Sequence, residues 1–178
     1  NPSLKWVDAC LPAIDSKING ELPDLLSLYK HLHSHPELSL LEFESASRMA
    51  SELRKLGFQV TEKVGGTGVV GIFENGPGPT ILVRADMDAL PVTEQTGVPY
   101  ASKVRTKDRF GNDTGVMHAC GHDVHMTCFV GTARVLTSLK DRWSGRLMFV
   151  AQPAEEIGVG ARAMIEDGLF KRFPKPDC

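Results

Sequence analysis

The sequence predicts an α/β layered protein with a largely parallel sheet, and three observations lead there. Helical and strand-like periodicities alternate along its 178 residues. Turn residues separate the strand-like runs, as in Asn75-Gly-Pro-Gly-Pro79. Polar clusters also recur just after apolar runs or just before a helix, and in such sheets ligands sit outside the carboxyl ends of the strands.

The elements follow in order. Leu4–Leu32 is helical in pattern and is interrupted by Pro12 and Pro23, each of which can instead open a new helix at its first turn. Pro36 then prevents continuation. Ser39 and Glu42 have the spacing of a capping box, and Leu38 with Phe43 that of a hydrophobic staple. Phe43, Ala46, Met49, Ala50, Leu53 and Leu56 follow at helical spacing, with Gly57 as the C-terminal cap. The period then changes. Phe58–Val64 alternates as a strand, and Val69–Phe73 and Thr80–Ala85 read as two more. Thr93–Asp113 is polar and aperiodic and reads as loop with short strands. Asp123–Leu139 reads as a helix, Arg146–Ala151 as a buried strand, and Ala161–Glu166 as a short helix capped by Gly168.

Composition narrows the function. Hydrophobic residues make up 42% and charged residues 24%, ordinary for a globular chain. A net charge of -2 argues against nucleic-acid and anionic-membrane partners, which reward positive charge. No apolar run is long enough to span a bilayer. No intact signal peptide is visible, and an opening Asn1 rather than Met implies that a preceding segment was removed. The four cysteines, Cys10, Cys120, Cys128 and Cys178, read as reduced thiols, because a chain of this size does not need covalent staples. The expected compartment is therefore the cytoplasm.

Chemistry concentrates in three places. In His118-Ala-Cys120-Gly-His122-Asp123-Val-His125, a thiolate and an imidazole two residues apart can reach one cation, with Gly121 allowing a tight bend. The same string admits a loop with a buried thiol, or a thiol hydrolase with Cys120 as nucleophile at a helix N-terminus. At Glu155-Glu156, a turn can aim one carboxylate at a metal and the other at water, although a glutamate pair is also common on solvated surface. Asp86 and Asp88 point to one side if the strand persists, one to ligate and one to orient, or they are simply turn aspartates. Carboxylates beside thiolate and imidazole suit zinc, manganese or cobalt better than calcium. His31, His33 and His35 read as structural, and nothing selects Arg84 or Arg105 over solvated surface.

Five strings then occur in order: His33-Ser-His35-Pro36-Glu37-Leu38, Arg84-Ala-Asp86-Met-Asp88-Ala-Leu-Pro91, Met117-His-Ala-Cys120-Gly-His122-Asp-Val-His125, Gln152-Pro-Ala-Glu155-Glu156 and Met164-Ile-Glu-Asp-Gly168. Together they resemble the metallopeptidase-like amidohydrolases that include hippurate hydrolase, N-acyl-amino-acid hydrolases and auxin–amino acid conjugate hydrolases. The resemblance runs from about Leu22 to the end. It implies an α/β/α sandwich of zinc-exopeptidase type with a mixed, largely parallel sheet. Residues 1–20 would be a helical lead-in and 21–178 the N-terminal portion of an incomplete catalytic domain, without the inserted lid or dimerisation domain of similar proteins. It implies Cys120, His122 and Glu156 as metal ligands, Glu155 as general base and Asp88 as an orienting catalytic residue. Asp86, which stands where the wider superfamily has a histidine ligand, and His125 would support the ligands from behind. Two divalent ions, zinc or manganese with cobalt or nickel as alternatives, would hold a bridging water that attacks the amide of a small N-acyl amino acid. Two further histidine ligands are expected beyond Cys178, and the full-length protein as a homodimer. A non-catalytic module that binds a metal or a partner is the remaining alternative.

Overall fold

The computed structural model describes residues 2–178, with side chains from Asp8 onward. A four-stranded mixed sheet forms its centre, in the order β1-β2-β6-β3. These strands are β1 (Gln59–Val64), β2 (Gly68–Asn75), β3 (Thr80–Asp86) and β6 (Gly145–Gln152), and β4 (Arg105–Lys107) pairs with β5 (Asp113–Gly115) as a separate hairpin. Only the β3–β6 ladder is parallel, whereas β1–β2 and β2–β6 are antiparallel. The parallel share is thus smaller than the alternation of elements suggests. The reason is the connection between β1 and β2, which is far too short for a crossover and must form a hairpin.

The strands bury both faces. Leu147, Phe149 and Ala151 of β6 pack into a large core with α1 (Pro2–Ser34), α2 (Phe43–Lys55) and α3 (His122–Ser138). Their neighbours Met148 and Val150 point the other way, against Met164 of α4 (Gly160–Glu166) and Leu169 of α5 (Leu169–Arg172). The two-residue period of the strand therefore feeds helices on two sides, giving the α/β/α layering. Within α2, Met49 and Leu53 are fully buried, each contributing about 1.5–3 kcal/mol.

Two local expectations change. Helix α1 runs through both Pro12 and Pro23 without a break. Each proline removes one N–H from the helical ladder, and packing of Leu25, Leu28 and Leu32 on the core offsets that loss beyond Pro23. The capping box at Ser39 and Glu42 does not form, because Glu42 makes no side-chain cap to α2. Glu37 caps instead, its carboxylate accepting from the amides of Glu44 and Ser45 at 3.0 and 2.8 Å. The staple is also absent in function, since Phe43 is exposed. No described helix is long and apolar enough to cross a membrane.

Candidate metal centre

Parallel pairing sets the site. Asp86 lies opposite Gln152 in the β3–β6 ladder, so both strands deliver their next residues to the same end of the sheet. Helix α3 starts there too, after Gly121, whose left-handed backbone (φ 81°) turns the chain between Cys120 and His122. The outcome is that a Cys120 sulfur, a His122 ring nitrogen and a Glu156 carboxylate oxygen all lie within 4.8 Å of one another.

The chemistry of His122 follows from its hydrogen bond. Its Nδ1 is 2.7 Å from the Asp88 backbone carbonyl, which can only accept, so Nδ1 carries a proton. That turns Nε2 toward the glutamates, 3.7 Å from Glu155 and 4.0 Å from Glu156, and a cation bound there would take the place of the Nε2 proton. The Asp88 side chain reinforces this arrangement, and its hydrogen bond to His122 is the main reason the imidazole is raised to about 9. Burial alone would raise Asp88 itself. The bonds from His122, from the Ser39 hydroxyl (2.6 Å) and from the amides of Glu156 (2.9 Å) and Glu155 (3.1 Å) outweigh burial and hold it at about 2. One buried carboxylate thus ties the His122 helix to the Glu155–Glu156 turn.

The trio suits a transition-metal cation. Thiolate, imidazole and carboxylate are the donor types such ions take. Glu156 Oε1 is buried without a hydrogen-bond partner, the kind of orphaned anionic atom a cation satisfies. The Glu156 carboxylate, then burial, raise the Cys120 thiol above its ordinary value. A nucleophilic cysteine needs the opposite shift, so the surroundings do not favour a thiol hydrolase. A cation beside the thiol would reverse the sign.

The other residues singled out from sequence fall around this centre. Asp86 is paired with Arg84, which also donates to Gln152 at 2.5 Å, so Arg84 is committed within the fold. His125 sits behind, its Nδ1 3.4 Å from the Asp86 carboxylate. Glu155 is the more exposed of the two glutamates. His118 is buried with neither ring nitrogen bonded, and burial lowers it to about 4, which keeps it neutral. His31 and His35 stack on each other at 4.4 Å away from the trio. His33 is buried between Asp123 (2.7 Å) and Glu94 (3.0 Å).

Two contributors escape a reading by pattern. Buried Glu42 accepts from the Ala154 amide at 2.8 Å and from the Thr67 hydroxyl at 2.6 Å, and so holds the residue just before the two glutamates. Ala154 needs holding, because its φ of 48° is left-handed and strained for a residue with a side chain. Ser39 reaches Asp88 across 49 positions of sequence. The spacing of these two residues marked them only as a capping box, and nothing local points to their distant partners.

An α/β/α sandwich with thiolate, imidazole and carboxylate gathered where its parallel strands end defines a candidate metalloprotein of the hydrolase type. The chain belongs to peptidase family M20/M25/M40, whose model matches residues 82–178. It is 43% identical over 145 residues to an N-acetyl-L-cysteine deacetylase of Bacillus subtilis, which covers 81% of this chain and 33% of that protein. It is 42% identical over 160 residues to the hippurate hydrolase of Campylobacter jejuni, covering 85% of this chain and 39% of that protein. Among solved structures, a dinuclear metal-binding peptidase of the M20 family from Bacillus subtilis superposes with a TM-score of 0.73 at 38% identity, over 84% of this chain and 40% of its own. The chain therefore spans about two-fifths or less of the length of these relatives.

Proposed function

We propose that the full-length protein is a metal-dependent amidohydrolase that cleaves the amide bond of small N-acyl amino acids. The observation that carries this reading is the Cys120–His122–Glu156 trio with a second carboxylate, Glu155, beside it at 3.7 Å from His122 Nε2. The names of the two relatives, a deacetylase of an acetylated amino acid and a hydrolase of hippurate, support the substrate class. Divalent cations, two in this reading, would supply Lewis-acid polarisation of the amide carbonyl and acidification of water. Zinc or manganese fits the donor set, ahead of cobalt or nickel. Three donor atoms are too few for two ions, so residues outside 1–178 would complete the shell.

The chain's own groups then have distinct roles. Glu155 takes the proton from the attacking water and hands it to the departing amine nitrogen. Asp88 keeps His122 in the tautomer that presents Nε2, and its hold on two amides keeps both glutamates aimed. Residues 21–178 act as the N-terminal part of the catalytic domain, with 1–20 as its helical lead-in. Four free thiols accord with a reducing cytoplasm.

The test uses full-length protein with manganese or zinc on benzoyl-glycine. A chelator should abolish hydrolysis reversibly. Glu155→Gln should keep its bound metal and lose at least about 100-fold in kcat, the lower range for a general base. Hydrolysis that survives chelation, or a Glu155→Gln enzyme with full turnover, overturns the reading.

A further inference from the structure

A cavity of about 490 Å³ opens directly beside Glu156, within the size range of small-molecule sites. Leu40, Leu41, Leu90, Phe110 and Ile157 line it with apolar surface. Three of these are left partly in water: Phe110 is 73% exposed, Leu40 53% and Leu41 46%. Apolar side chains gathered around a concave space next to a polar centre are the usual composition of a ligand site.

Phe110 is held in place at the tip of the β4–β5 hairpin. The Asp108 carboxylate accepts from the amides of Phe110 (2.8 Å) and Asn112 (2.9 Å) and from the Asn112 side chain (3.1 Å), which fastens the tip into one shape. The Arg109 guanidinium lies over the Phe110 ring at 4.7 Å, fixing the ring further.

Which half of a substrate the cavity takes follows from the two glutamates. Glu156 lines the cavity and Glu155 does not. In the proposed reaction Glu155 must reach the leaving nitrogen, so the amino-acid half lies on the Glu155 side. The other substituent of the carbonyl carbon then extends past Glu156. We propose that this cavity is the acyl subsite, that it takes an apolar acyl chain well beyond acetyl in size, medium-length aliphatic or aromatic, and that Phe110 and Leu41 set this preference. The proposal rests on the hydrolase reading above.

Two experiments test it. In the first, full-length metal-loaded protein is given an acyl-glycine series from acetyl through butyryl and hexanoyl to octanoyl. The expected result is that kcat/KM rises by up to about fourfold per methylene until the cavity is filled. Leu41→Trp, which fills the space from a surface position, should lower the octanoyl-to-acetyl ratio at least about tenfold, and Phe110→Ala should lower it in the same direction. In the second, calorimetry reads octanoate against acetate binding to metal-free protein, with octanoate favoured in wild type and not in Leu41→Trp. A flat acyl series, or a Leu41→Trp change that alters amino-acid preference rather than acyl preference, overturns the subsite while leaving the hydrolase reading intact. Octanoate binding that Leu41→Trp removes, with no acyl amino acid hydrolysed, supports the cavity and defeats the hydrolase reading instead.

Discussion

Replacing Glu42 tests whether a single buried carboxylate holds the turn that carries Glu155 and Glu156. The side chain is fully buried and accepts from the Leu40 amide (2.9 Å), the Ala154 amide (2.8 Å) and the Thr67 hydroxyl (2.6 Å). In Glu42→Ala, Leu40 is exposed and its amide can turn to water. Ala154 and Thr67 are buried and cannot. Two stranded donors at about 1–3 kcal/mol each give a loss of about 2–6 kcal/mol. For a chain of this size that is a fall in Tm on the order of 10 °C. Glu42→Gln keeps Oε1 for both amides and lets the Thr67 hydroxyl rotate to accept, so it should cost no more than about 1.5 kcal/mol. Equilibrium urea unfolding of the three proteins measures both differences. An alanine variant within about 1 kcal/mol of wild type, or one indistinguishable from the glutamine variant, would show that the Glu42 contacts do not carry this load.

Three further perturbations follow from the same geometry. Asp88→Asn keeps the backbone carbonyl that orients His122 but removes the charge behind it, and metal affinity should fall about 10- to 100-fold in a chelator competition; unchanged affinity contradicts the role given to Asp88. Gly160→Ala places a Cβ 1.6 Å from the Pro153 carbonyl oxygen, a backbone clash that no rotamer relieves, so a loss of at least about 2 kcal/mol in thermal or urea unfolding is expected, and a silent substitution refutes the packing. Burial alone would lower His33, but its bonds to Glu94 and Asp123 raise it above its ordinary value, so the native state binds more protons than the unfolded chain between the two values. Its stabilisation is therefore complete below the unfolded value of about 6.5 and is lost as pH rises through the folded value. The gap in unfolding free energy between wild type and His33→Gln should be wider at about pH 5.5 than at about pH 9, and a gap that widens toward alkaline pH reverses the assigned sign.

Periodicity made much of the fold legible. Helix α2 announced itself through Ala46, Met49, Ala50 and Leu53, all four of which are buried. The strand Thr80–Asp86 ends in an acidic residue and Gly145–Gln152 ends just before Glu155 and Glu156, and their parallel register brings those ends together. Local spacing could not decide between competing local solutions. Ser39 and Glu42 fit a capping box by spacing, yet Ser39 donates to the distant Asp88 carboxylate and Glu42 accepts from the distant Ala154 amide. Prolines read as helix breaks in Leu4–Leu32, yet the helix runs through both, with core packing of Leu25, Leu28 and Leu32 supporting it beyond Pro23. The cysteine–histidine spacing suggested a shared cation, but the hydrogen bond that selects the His122 tautomer comes from a carbonyl 34 positions away, which no pattern announces.

The Glu155–Glu156 turn is gripped by its main chain: Asp88 holds the two amides, and Glu42 holds the one before them. The frame therefore does not depend on what those two side chains are. Evolution could trade either carboxylate for another group and still present it at the same point in space, so new chemistry can be tried on this scaffold one atom group at a time.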